Sequence, residues 1–144
     1  MLPDFTEDGL LPAGIYNVTV DAFEKRFVYF AGSDRRFRLF EKLRELHRQA
    51  RQSGIVKRFL VGGSFVTAKA EPNDFDCILV FGQDVGGRDL SPMEYNLLLR
   101  TRARRNFGGD IIPVAEGSAN YDYYLRFFQT TRDKRPVGIV EIVE

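Results

Sequence analysis

The sequence predicts a small α/β domain of the α+β kind, with a mixed sheet of about four strands packed against helices. Three observations predict it. Stretches with helix-capping signals are interspersed with short apolar runs. One of those runs, "DFDCILVF" (74–81), is almost continuously apolar, as in a strand covered on both faces. The 144 residues are 44% hydrophobic and 28% charged, enough to bury one core without staples.

Residues 1–18 are expected to form an irregular arm, because 1–14 are rich in Pro, Gly and acids. "TVDAFEKRFVYF" (19–30) starts a short helix, with Thr19 as N-cap and Asp21 in the first turn. The stretch 33–54 is a longer helix. Ser33 caps it, Asp34 suits the positive end of its dipole, and Gly54 stops it. Phe37, Phe40, Leu43, Leu46 and Ala50 fall at helical spacing. "VKRFLVG" (56–62) and 74–81 read as strands. A helix over 91–109 opens on Ser91, Pro92 and Glu94, a capping box, and ends at Gly108 and Gly109. "DIIPVA" (110–115) is a third strand, whose Pro113 favours an edge or a strand end. A short helix over 119–129 and a last strand over 137–144 complete a single domain spanning 1–144.

The net charge is +1, so no global field recruits nucleic acid or an anionic membrane; such a role needs a local patch. Cys77 is the only cysteine, which fits a reducing compartment and a cytoplasmic location. The N-terminus has neither a basic region nor a long apolar run, and no stretch reaches the length of a membrane span.

The chemistry concentrates between residues 62 and 76. Residues two apart on a strand share a face, so Asp74 and Asp76 aim together. Paired carboxylates repel, and each raises the pKa of the other unless a cation sits between them. A hard cation such as Mg²⁺, or Mn²⁺, uses one or two carboxylates together with substrate phosphates. Gly62 and Gly63 permit close approach of backbone to a ligand, and Ser64 adds a hydroxyl at the start of a short helical turn. Thr67 adds a further hydroxyl, and Lys69 a charge to neutralise phosphate. Asp110 opens the third strand, and reaches the same site if that strand lies beside 74–81. Each piece has an ordinary alternative: Gly-Gly-Ser as a turn, Asp-x-Asp as strand capping, Lys69 as a solvated loop residue.

Gly63-Ser64, Asp74-x-Asp76 and Asp110 resemble the signature of the nucleotidyltransferase superfamily that includes DNA polymerase β and the minimal nucleotidyltransferases of prokaryotes. "GGSFVTAKAEPNDFDCILVF" is similar to a group of short bacterial nucleotidyltransferase-like proteins, as are "LPAGIY" (11–16) and the segment 127–142. The resemblance implies an enzyme that transfers a nucleoside monophosphate from a nucleoside triphosphate to a hydroxyl of a protein, RNA or small molecule. Asp74 and Asp76 would hold Mg²⁺ on the triphosphate. Gly63 and Ser64 would bind its terminal phosphates. Asp110, with a second Mg²⁺, would help deprotonate the acceptor. The interval between the two motifs is short, and 144 residues are expected to be too few for the extra domain that holds the acceptor in many relatives. The alternative is a catalytically weak or inactive nucleotidyltransferase-like antitoxin or regulator that binds a toxin-like protein or a second copy.

Arg100, Arg102, Arg104 and Arg105 are expected to complement the dipole at a helix end, and with Arg132, Lys134 and Arg135 offer a basic rim. Tyr121, Tyr123, Tyr124, Phe127 and Phe128 are read as core or partner surface in preference to a base-stacking platform. His47 is read as a surface or boundary residue, and Cys77 as core on the face opposite the aspartates.

Overall fold

A computed structural model of the chain describes residues 2–87 and 89–144. Among them runs a five-stranded mixed sheet with strand order β1-β5-β2-β3-β4. The strands are β1 (Ile15–Val18), β2 (Val56–Gly62), β3 (Asp76–Phe81), β4 (Asp110–Ala115) and β5 (Ile139–Ile142). The helices are α1 (Val20–Phe27), α2 (Asp34–Ser53), α3 (Pro92–Leu98), α4 (Arg100–Phe107) and α5 (Ala119–Phe128). The α+β class is therefore as expected, with one strand more than the sequence suggested.

The extra strand corrects the reading of 1–18 as irregular throughout. Ile15–Val18 pairs in parallel with Ile139–Ile142 at the other end of the chain. Four residues are too few to show a period of two, and their partner lies beyond any local window. The expected 91–109 helix is also two helices. Its capping box at Ser91 and Glu94 forms, but Leu99 is extended (φ −105°, ψ 114°) and starts a new helix in a new direction.

The caps of α1 and α2 form as their sequences suggest. Thr19 Oγ1 accepts from the Ala22 N–H, Ser33 Oγ accepts from the Arg36 N–H, and Gly54 closes α2 in the left-handed region. The face of α2 that packs is the expected one at four of its five residues. Phe37 is exposed, and Arg36 and His47 join Phe40, Leu43, Leu46 and Ala50 inside.

Two apolar clusters sandwich the sheet. The larger joins α1–α4 to Phe59, Val61, Cys77, Leu79, Ile111 and Val140. The smaller joins α5, through Phe128, to Leu60, Ile78, Val80, Ile112, Val114 and Ile139. Alternation along β3 puts Cys77 into the larger cluster, as expected, and turns Asp76 toward α5. Pro113 sits on β4, which is an edge strand, as expected. No helix of the described residues is long and apolar enough to cross a membrane.

Candidate active site: a carboxylate cleft beside a glycine-serine turn

β2 and β3 are antiparallel neighbours, so the end of one meets the start of the other, with Gly62 opposite Asp76. Just past that pair the chain turns through a single 3₁₀ turn, Gly63–Val66. Gly63 has φ +73°, and a Cβ built on it would overlap Asp76 Oδ2 and lie 3.1 Å from Asp76 Cγ. A side chain at residue 63 would be strained by its backbone and would also displace the carboxylate. Gly62 is buried, its Cα packed so that a Cβ would lie 2.8 Å from the Phe128 ring. It supports the cleft from behind and does not line it.

The cleft in front holds about 640 Å³. Gly63, Ser64, Thr67, Lys69, Asp74 and Asp76 line it, facing Phe127, Phe128, Arg132 and Val137. Six of the eight residues singled out in the sequence therefore share one wall. Thr67 is the least available, since its hydroxyl donates to Ser64 O at 2.7 Å and accepts from the Lys69 N–H at 3.2 Å.

Asp110 is not in the lining, yet it is a direct neighbour of the site. β3 and β4 are parallel in a register that pairs Asp76 with Asp110. Burial, followed by the charges of Asp74 and Asp110, pushes the Asp76 carboxyl up to about 6, against the opposing pull of Arg104 and Arg100. Those two arginines correct the first reading of the arginine cluster, as complement to a helix dipole: both pair with carboxylates. The break at Leu99 aims α4, and Arg100 and Arg104, one turn apart, reach over the strand ends. Arg100 donates to both oxygens of Asp110 at 3.1 Å, and Arg104 Nη1 lies 3.6 Å from Asp74 Oδ2.

Arg36 is the site residue that sequence reasoning missed. It is fully buried with no carboxylate partner; its guanidinium donates to the carbonyls of Phe27, Phe65, Thr67 and Lys69 at 2.6–2.9 Å. It also lies 5.0 Å over the Phe65 ring. Burial lowers its pKa to about 10. One side chain thus nails the whole 65–69 segment to α2, and Arg35 extends the clamp to Asn73 Oδ1. The signal was its spacing: Arg36 lies one turn before Phe40 on the apolar stripe of α2.

His47 is buried, deeper than its reading as a surface or boundary residue. It is 6% exposed, sits edge-on to Phe59 at 5.0 Å, and has a buried Nε2 without a partner. Burial, with a smaller contribution from Arg51, lowers its pKa to about 4.

Among the described residues no group of three or more His, Cys, Asp or Glu side chains is disposed to hold a metal ion alone. The pair Asp74 and Asp76 nonetheless fits the way Mg²⁺ is commonly held, with two hard carboxylates on one cleft wall and the remaining positions left to water and phosphate oxygens. Burial first, and then the charges of Asp74 and Asp110, disfavour the ionised Asp76 carboxylate, and a cation at the pair would favour it.

A family model matches residues 3–143. The chain belongs to the family of unknown function DUF6932. No curated protein and no solved structure matches it. The description of DUF6932 states no activity, so a functional reading rests on the cleft itself.

Proposed function

We propose that this DUF6932 chain is a metal-dependent nucleotidyltransferase. The observation that carries the reading is the convergence of Gly63-Ser64 and Asp74-x-Asp76 on one cleft wall, with Asp110 paired beside Asp76 across the β3–β4 register. A bare Gly63 lets a phosphate and the Asp76 carboxylate approach the same backbone. Ser64 donates its hydroxyl to the terminal phosphates, and Lys69 supplies a charge at the cleft mouth. Asp74 and Asp76 would hold Mg²⁺, or Mn²⁺, and a metal held there would offset triphosphate charge and polarise the α-phosphate. The acceptor oxygen bonds to the α-phosphorus, the bond from the α-phosphorus to the bridging oxygen breaks, and pyrophosphate leaves. The hydroxyl proton passes to Asp110, which Arg100 restrains until an anionic substrate competes for the guanidinium.

Thermal melting tests this reading. Excess ATP with Mg²⁺ is expected to raise Tm, since a ligand at about a hundred times its Kd stabilises by about 2.7 kcal/mol. A rise that is equal without metal, or equal in Ser64→Ala/Lys69→Ala, would contradict it.

The pairing of Arg100 and Arg104 with two of the three carboxylates favours a second reading, a weakly active or inactive nucleotidyltransferase-like antitoxin or regulator that acts by protein binding. A chain that sediments as a monomer and copurifies with no protein would count against that reading.

A further inference from the structure

α5 presents an aromatic face that the carboxylate chemistry does not use. Tyr123 and Phe127, one turn apart, are 54% and 59% exposed, and their rings stack at 6.1 Å and 14°. Tyr124 stands edge-on to both at 86° and 84°, and so braces them from the side. The sequence reading assigned these rings to core or partner surface; Phe128 is core, and Tyr123 and Phe127 lie at the surface.

Beside the rings lies a hollow of about 570 Å³. Its charged residues are Arg126, Arg132 and Lys134, with no carboxylate among the described lining. None of the three cations makes an ion pair with the described residues, whereas the neighbouring Arg135 is neutralised by Asp8 and Asp133. Two of the three are held on an ordered turn. The Thr131 N–H donates to Arg135 O at 2.8 Å, the Lys134 N–H donates to Thr131 O at 3.0 Å, and Lys134 adopts φ +69°. A lysine in the left-handed region is uncommon, and the turn keeps it beside the hollow.

We propose that this face binds single-stranded nucleic acid, with bases stacked on Tyr123 and Phe127 and the phosphate backbone against Arg126, Arg132 and Lys134. Exposed ring faces next to unpaired cations are the elements of sequence-tolerant single-strand binding. An apolar peptide would leave three cations without a partner, and an acidic peptide would leave the ring faces unused. The near-zero net charge is no obstacle, because the charge that matters is local. Phe127, Thr130, Thr131 and Arg132 also line the carboxylate cleft, so a strand laid on this face runs toward it. The inference does not depend on nucleotidyl transfer.

Fluorescence anisotropy with short labelled oligo(U) and oligo(dT) tests it, on the wild type, on Phe127→Ala, and on Arg132→Gln/Lys134→Asn; asparagine tolerates the positive φ of residue 134. We expect binding of at least one oligonucleotide, weakened about fivefold or more in Phe127→Ala, the loss of one base stack. The slope of log affinity against log salt should fall by about 0.7 for each cation removed. No binding of either oligonucleotide overturns the proposal, as does binding that Phe127→Ala leaves unchanged. A dimer in sedimentation that Phe127→Ala dissolves, without oligonucleotide binding, assigns the face to a second copy. Oligonucleotide binding should persist in Asp74→Asn/Asp76→Asn, no weaker than in the wild type, which separates this outcome from the fate of the nucleotidyltransferase reading.

Discussion

Asp76→Asn should stabilise the protein while removing a residue that the proposed chemistry needs. The Asp76 carboxyl is pushed up to about 6 by burial and by Asp74 and Asp110, from an ordinary value near 4. The folded state thus holds its proton more tightly than the unfolded chain does. The sign follows: ionised Asp76 is a liability above pH 6, and the liability fades as pH falls through 6 toward 4. A two-unit shift corresponds to about 2.7 kcal/mol, and partial exposure with solvent screening reduces this to about 1–2 kcal/mol. Asparagine keeps the shape beside Gly63 and removes the charge. Urea denaturation at pH 7 should therefore show Asp76→Asn more stable by about 1–2 kcal/mol, with the gain largely gone at pH 4. Saturating Mg²⁺ should stabilise the wild type and shrink the difference at pH 7. His47 titrates in the opposite sense over a similar range, so the difference between variant and wild type is the quantity to read. A variant that is equal to or weaker than the wild type at pH 7, or a gain that is unchanged at pH 4, would refute the reasoning.

Other perturbations probe the supports of the cleft. Arg36→Met should cost about 4 kcal/mol or more in chemical denaturation, or prevent folding, because several buried carbonyls lose their donor together; a loss under about 1 kcal/mol would show that the clamp is dispensable. Gly63→Ala should cost about 1–2 kcal/mol in the same assay and weaken metal-dependent ATP binding as well, since the methyl group displaces Asp76; unaltered ATP binding would separate the turn from the carboxylate. His47→Leu should stabilise at pH 5, where the folded state excludes a proton that the unfolded chain binds between about 6.5 and 4. Melting temperatures of the wild type and His47→Leu across that range should diverge as pH falls, and parallel curves would contradict the buried neutral imidazole.

The parts of the fold legible in the sequence are those carried by local signals. α2 could be read from Ser33, Gly54 and its periodic apolar residues, and β3 from an unbroken apolar run. What escaped depends on distant partners. β1 exists because the C-terminal β5 lies alongside it, and the break at Leu99 has neither Pro nor Gly to announce it. The same limit applies to the site. Asp74, Asp76, Ser64 and Asp110 were visible as residue types at a spacing. That Arg100 and Arg104 would reach back to two of those carboxylates follows from the direction of α4, which only the break determines. Arg36 and His47 were hidden differently. Both fall on the apolar stripe of α2 by spacing, but Phe37 offered a more conventional core residue one position away and took the place of Arg36 in the pattern. A buried arginine is recognisable only when the carbonyls that solvate it are known, and these come from the loop after β2.

The central claim is that Asp74 and Asp76 hold a metal for a nucleotide seated at Gly63-Ser64. Titration calorimetry of ATP and then the other nucleoside triphosphates, each with and without Mg²⁺, into the wild type and into Asp74→Asn/Asp76→Asn tests it most directly. The account predicts binding of at least one triphosphate that requires the metal and is lost in the double variant. Metal-independent binding, or binding that the double variant retains, would contradict it.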